Sequence, residues 1–293
     1  MRVLFCMAIC EVGNVKALVD MGWQLQASGI EPLYVLCDSA VCGGCRFGAE
    51  REPNIGCLSQ RLNTRRLVES RGLRAVNLSD FYGAVDKVGF EWQQDGGSVS
   101  VRASYRHLDL WDVCKGSIFR SLQRTHLLDG DQSVVGLFMS QAVRAYRAWS
   151  RILAQSDPAV LIVFQGMPYI DRVAAEAANR AGVATFSSEN SCFKQYKFFV
   201  PGNFVVNRHP LASADYWEGI RDRELDADQR ARLSFFLEGV HSGRNNQVRQ
   251  SNLEAPAELR ERLGLEAGRQ MVLVLGQVPF DSVITYDSPH YPE

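Results

Sequence analysis

Apolar and polar positions alternate between two periods along this chain, and the changes of period mark out its elements. Residues 2–9, "RVLFCMAI", are a nearly unbroken apolar run, the pattern of a strand covered on both faces. After the polar turn "CEVGN", Val15, Leu18, Val19, Trp23 (or Gly22) and Leu25 recur at helical spacing, and Gly29 supplies a C-cap. "EPLYVLCDS" reads as a second strand, so the first forty residues predict a β-α-β unit, which builds parallel sheet. The middle is less regular. "TRRLVESRG" has a helical pattern, and "GFEWQQDGGSVSVRASYRH" alternates about Asp95-Gly96-Gly97, which predicts a hairpin. Residues 133–155 carry Val135, Phe138, Ala142, Tyr146, Trp149 and Leu153 at steps of three and four, a long amphipathic helix.

The α/β pattern then returns. "DPAVLIVFQG" predicts a strand, "MPYIDRVAAEAANRAG" a helix closed by Gly182, and "VATFSSEN" another strand. A helix is expected over 226–241, and "AELRERLGL" leads into "RQMVLVLGQVPFDS", a strand with its loop. A further β-α unit begins at Gln270 and is not completed within the 293 residues, so the chain reads as the N-terminal part of a longer protein. The fold class expected is α/β, a Rossmann-like parallel sheet flanked by helices, with the start of a second such unit.

Composition narrows the function classes. The chain is 46% hydrophobic and 22% charged, as an ordinary globular protein is, with a net charge of −1. No basic excess points to nucleic acid or to a membrane surface, and no apolar run approaches the roughly 20 residues that span a bilayer. At most peripheral membrane association is expected. The N-terminus lacks the layout of a secretory signal, so the chain reads as cytoplasmic, where its eight cysteines favour thiols or metal ligands over disulfides.

Four of those cysteines, Cys37, Cys42, Cys45 and Cys57, are spaced C-x4-C-x2-C-x11-C in a segment rich in glycine. Four thiolates suit tetrahedral zinc or an iron–sulfur cluster, and Gly43-Gly44 allows the tight turn of a chelating knuckle. The spacing matches neither a paired zinc ribbon nor a ferredoxin run. Two other readings stand beside metal: buried or incidental thiols, and a redox C-x-x-C pair. His107, His126, His209 and His241 show no metal-ligand spacing, and no hydrolase, P-loop or dinucleotide motif occurs.

Ligands of open α/β sheets bind beyond the carboxyl ends of the strands. Three predicted loops lie there: Glu11-Val12-Gly13-Asn14, Gln165-Gly166-Met167-Pro168 and Ser187-Ser188-Glu189-Asn190. Gly13 and Gly166 would let backbone approach a sugar or phosphate closely. Glu11 and Glu189 are candidate bases for deprotonating a hydroxyl, with capping or salt-bridging as their plainer reading. Asp171 reads as a surface charge favoured by a helix N-terminus, whereas Arg172 opposes that preference and so becomes a candidate anion contact. Phe164, Tyr169 and Phe186 read as core, with sugar stacking as the sharper alternative.

Three stretches taken in order, "EVGNVKALVDMGWQLQASG", "LIVFQGMPYIDRVAAEAANRAGVATFSSEN" and "LRERLGLEAGRQMVLVLGQVPFDS", resemble the capsule and surface-polysaccharide glycosyltransferases of the GT-B fold, which include Kdo-transferase-like enzymes. In that group the second stretch runs from a strand ending in Asn-Gly through an Arg-bearing helix to a Glu-bearing turn; here these are Gln165-Gly166, Arg172 and Glu189. The third opens a donor-binding domain, with Gln277 and the pair Asp281-Ser282 in the matching loop. The resemblance implies an acceptor-side Rossmann-like domain over 1–255, carrying a cysteine loop at 37–57 and a hairpin insertion at 88–105. It implies a linker helix and first donor-domain strand over 256–293. It also implies a nucleotide-sugar donor and a glycan or lipid-linked acceptor, with Gly13, Asn14, Gln165, Gly166, Arg172, Asn190, Gln277, Asp281 and Ser282 as substrate contacts. Most of the donor domain lies beyond this chain, so the chain alone is expected to be inactive. A metal- or cluster-dependent protein working through the cysteine loop and a non-catalytic binding domain are the alternatives.

Overall fold

The structure, a computed structural model, describes residues 1–7, 12–38, 55–84, 88–95, 98–164, 166, 168–190, 197–202, 218, 221–241, 261–262 and 264. Strand β1 (Arg2–Met7), helix α1 (Val12–Ala27), strand β2 (Glu31–Leu36), helix α2 (Ile55–Ser70) and strand β3 (Arg74–Asn77) form the first half. After a hairpin of β4 (Glu91–Asp95) and β5 (Ser98–Arg102), and the short pair β6 (Ser104–Tyr105) and β7 (Leu108–Asp109), come helices α3 (Leu110–Leu122) and α4 (Gln132–Ser156). Strand β8 (Val160–Phe164), helix α5 (Tyr169–Arg180), strand β9 (Ala184–Asn190), strand β10 (Lys197–Pro201) and helix α6 (Ala227–His241) follow.

Six strands make one sheet in the order β10-β9-β8-β1-β2-β3. Five of them, β9 to β3, run parallel, and β10 closes the edge antiparallel to β9. The chain therefore builds outward from β1 in one direction through β2 and β3, then returns to its other side with β8 and β9. That reversal makes the carboxyl end of the β1–β8 junction the topological switch point of the sheet.

Alternation along β1 sends its side chains to two different cores. Val3, Phe5 and Met7 join Val15, Leu18 and Val19 of α1, Val68 of α2 and Tyr34 of β2. Leu4 and Cys6 join the larger core against α3, α4 and α5, where Phe138, Tyr146 and Trp149 are buried. Helices thus cover both faces, which explains why β1, β2 and β8 read as continuous apolar runs. The expected helix over 133–155 forms as α4, and all six of its predicted apolar positions are buried. Gly182 takes φ 72° just past α5, a left-handed conformation that favours glycine.

Several boundaries differ from expectation. Helix α1 starts at Val12, so Gly13 and Asn14 occupy its first turn instead of a loop. Helix α2 starts at Ile55, nine residues before the expected "TRRLVESRG", and Cys57 lies on it instead of in a loop. Ser187 to Asn190 are part of β9, because β10 pairs with them: Glu189 stands opposite Phe198 and Asn190 opposite Lys197. Strands β3 and β10 and helix α3 add to the elements expected from the sequence. The expected strand at "RQMVLVLGQVPFDS", with Gln277, Asp281 and Ser282, lies outside the described residues. Among the described residues no helix is long and apolar enough to cross a membrane.

Candidate functional site

The carboxyl edge at the switch point is built from β1, β8 and the first turn of α5. Strand β8 ends at Phe164, and Gly166 turns the chain with φ 69° while its N–H donates to the Phe164 carbonyl at 2.6 Å. A side chain at that φ would be strained, which is a conformational reason for glycine here, separate from the close ligand approach expected of it. Pro168 then opens α5 with no side-chain cap of its own; its carbonyl accepts from the amides of Asp171 and Arg172 at 2.9 and 3.1 Å. The Tyr169 amide is capped instead from another helix, donating to Ser117 Oγ of α3 at 3.0 Å. One of the orphan donors that a helix N-terminus offers to an anion is therefore used by the protein itself.

Arg172 is bound into the same joint. Its guanidinium donates to the Asp112 carbonyl at 2.6 Å and to Asp112 Oδ2 at 2.5 Å, with Lys115 Nζ 3.4 Å from the other carboxylate oxygen. Asp112 stands in the first turn of α3, whose N-cap Asp109 accepts from the Asp112 amide at 3.0 Å. Burial by itself would raise the Asp112 carboxyl, but the Arg172 charge and hydrogen bond, with Lys115 behind them, hold it below the ordinary carboxylate range. Arg172 is only 8% exposed, so its placement is that of a tie between α5 and α3.

Asp171 departs furthest from the sequence expectation. Read as a surface charge, it is fully buried, because its position in the first turn points it under α5 toward β1 and not outward. Oδ1 accepts from the Cys6 thiol of β1 at 3.3 Å, while Oδ2 has no hydrogen-bond partner among the described residues. Burial pushes this carboxyl well above its ordinary range, and the Cys6 hydrogen bond offsets only part of that. Cys114 of α3, also fully buried, is pushed up by burial against a smaller lowering from Arg172. The periodic positions Leu110, Val113, Cys114 and Ile118 carry the helical signal that would have located α3, and with it Asp112.

The remaining candidates divide by what is described. Glu11 and Gln165 lie outside the described residues; Gly13, Asn14, Glu189 and Asn190 have described backbones in α1 and β9, at the same edge of the sheet as Gly166. Phe164 and Tyr169 are core, Tyr169 packing edge-on against Phe138, and Phe186 is packed against the α1 side. Of the cysteine set, Cys37 is buried at the end of β2 in the core that includes Val35 and Leu78. Cys42 and Cys45 lie outside the described residues, as does the side chain of Cys57. Among the described residues no group of three or more His, Cys, Asp or Glu side chains could hold a metal ion.

No protein-family model matches this chain, and no curated protein matches it. Among solved structures, a UDP-N-acetylglucosamine 2-epimerase from Listeria monocytogenes is similar at 8% identity and TM-score 0.32, over 64% of this chain and 31% of that one. A glycosyltransferase of Streptomyces sp. SF2575 is similar at 14% identity and TM-score 0.31, over 64% of this chain and 38% of that one. A tyrosyl-tRNA synthetase from Archaeoglobus fulgidus is similar at 16% identity and TM-score 0.29, over 62% and 51%. The chain spans well under two thirds of the length of each. With scores and identities this low, none of these likenesses bears on what this chain does; what stands is the α/β sheet with helices on both faces and its switch point at β1 and β8.

Proposed function

We propose that this chain is the N-terminal, acceptor-side domain of a GT-B glycosyltransferase that moves a sugar from a nucleotide-activated donor onto a glycan or lipid-linked acceptor in surface-polysaccharide assembly. The observation that carries the reading is the reversal of strand order at β1. It puts the carboxyl ends of β1 and β8 side by side at one edge of the sheet, and two of the stretches that resemble the family pass through that edge. In this reading the acceptor lies across that edge and a carboxylate, Glu11 or Glu189, takes the proton of its attacking hydroxyl. The oxygen then bonds to the anomeric carbon as the bond to the nucleotide leaving group breaks. Gly166, Gly13, Asn14 and Asn190 border the acceptor. Gln277, Asp281 and Ser282 belong to the donor side, completed by a further domain. In this reading the chain works in the cytoplasm, with at most peripheral membrane association.

The test is release of nucleoside diphosphate from a panel of nucleotide sugars by the full gene product, supplied with glycan and lipid-linked acceptors. Turnover that falls by about 10²–10⁴ in one of Glu11→Gln or Glu189→Gln, with the fold retained, is the expected result. No release from any donor, or turnover indifferent to both substitutions, overturns the proposal.

A further inference from the structure

Asp171 is a fully buried carboxyl group that pairs with no cation among the described residues. From β1 it meets the Cys6 thiol at 3.3 Å. The nearby positive charges of α5 and α3, Arg172 and Lys115, are both engaged with Asp112. Cys114 of α3 is kept neutral by burial, and β8 and α4 present Leu161, Val163, Phe138 and Ala142 to this core. A thiol is a weak donor, so a carboxylate here would be a buried charge solvated by one poor hydrogen bond. In the neutral acid, Oδ1 accepts from sulfur and the proton resides on Oδ2, which has no partner among the described residues.

The geometry points to a proton-dependent clasp between β1 and α5: the uncharged Asp171 side chain, closed on Cys6, seats the first turn of α5 under the switch point, and ionisation of Asp171 unseats that turn. Pro168 gives the first turn of α5 no side-chain cap, and its tertiary ties include the Cys6–Asp171 contact, the Arg172–Asp112 pair, the Ser117 cap and the core packing of Tyr169 on Phe138. Once released into water, a carboxylate in that turn is favoured by the dipole of α5, which stabilises the open form further. The proton on Asp171 thereby governs the backbone next to Gly166, whatever ligand that edge takes; the inference does not depend on the glycosyltransferase reading.

The sign follows from the raised value. Below the unfolded carboxylate range both the closed and the open form hold the proton, and the clasp is closed. Above it the open form loses the proton while the closed form keeps it, so closure weakens as pH rises until Asp171 ionises in the closed form too. Asp112 and Asp131, whose carboxyls are held low, have completed their contribution by about pH 5, and Cys114 enters only above about pH 8. Of these four groups, Asp171 is the one whose effect falls in between.

Amide hydrogen exchange over residues 171–175, divided by the intrinsic rate at each pH, reads the clasp between about pH 5 and 8. The opening equilibrium is expected to rise by up to about tenfold per pH unit in the native chain and to stay flat in Asp171→Asn. Isotope-edited infrared spectroscopy with labelled aspartate supplies the second readout and needs no variant. A protonated-carboxyl band that persists at neutral pH while the opening equilibrium rises supports the clasp. Absence of that band, or identical pH dependence in the native chain and Asp171→Asn, overturns it.

Discussion

The two faces of the sheet bury polar groups on different terms. On the α1–α2 side, a buried polar group is the Tyr34 hydroxyl, which donates to the Leu18 carbonyl at 2.9 Å and lies against Gly22, with the ring stacked on Phe5 at 4.7 Å. On the α3–α5 side, Cys6, Cys114, Asp171 and Arg172 crowd the first turn of α5, and two of them keep their neutral forms by burial. On the first face that hydroxyl is satisfied locally, while buried guanidinium nitrogens of Arg61 on α2 have no hydrogen-bond partner among the described residues. The second carries unsatisfied polarity at the sheet edge where ligands of such folds bind, a cost that packing alone does not require.

Breaking the polar joint is expected to have the largest effect. Asp112→Ala removes the carboxylate facing the buried Arg172 and leaves the backbone carbonyl contact, at a cost of about 2–3 kcal/mol in urea unfolding; the exposure of Asp112, 44% at the side chain, keeps this at the low end for a broken pair. Because the Asp112 carboxyl is held low, its contribution is present above the unfolded carboxylate range and fades as pH falls through the folded value. The gap between native and Asp112→Ala should therefore close in strong acid. Arg172→Met should cost less than Asp112→Ala, since it removes the charge along with its need for a partner. Equal costs would mean that Arg172 is not held as a buried ion.

The opposite face should fail by sterics. A Cβ at Gly22 would fall 1.8 Å from the Tyr34 hydroxyl oxygen, so Gly22→Ala must displace that ring and its hydrogen bond. The helix-propensity gain of about 1 kcal/mol is outweighed by overpacking and the lost bond, leaving a net loss of about 2 kcal/mol. Combining it with Tyr34→Phe should cost less than the sum of the two, and strict additivity would refute the contact. Cys37→Ser, which places a hydroxyl in the core at the end of β2, should cost about 1–2 kcal/mol. Elemental analysis sharpens that result: zinc or iron lost together with the stability would make Cys37 a ligand as well as a core residue. The smallest effect is expected for Arg71→Ala. It removes an exposed pair with Asp20 and a cation stacked on the ring of Trp23, and should change stability by about 0.5 kcal/mol or less.

Periodicity made most of the frame legible. The strands β1, β2, β8 and β9 and the helices α1, α4, α5 and α6 follow from apolar spacing, because a strand or helix that buries a face must repeat at the period of its backbone. Helix α3 had its own repeat in Leu110, Val113, Cys114 and Ile118, but it follows a short hairpin that obscures where it begins. Strands β3 and β10 are edge elements of four and five residues. They are settled by pairing with β2 and β9, information that lies in a partner strand and not in their own pattern.

The candidate site was legible in part, and the division has one physical cause. Gly166 could be picked from the sequence because a positive φ is a local demand that glycine meets by itself. Asp171 and Arg172, adjacent in sequence and both in the first turn of a helix, look alike as surface charges. Rotation by about 100° per residue sends one under the helix to Cys6 and the other across to Asp112. Composition and spacing by themselves determined an α/β chain with a Gly turn at the carboxyl edge of a parallel sheet. Only the tertiary structure decided which charges are buried, which are paired and which carboxyl keeps its proton. Those outcomes depend on what each side chain faces across the core, and no period along one strand or helix records that.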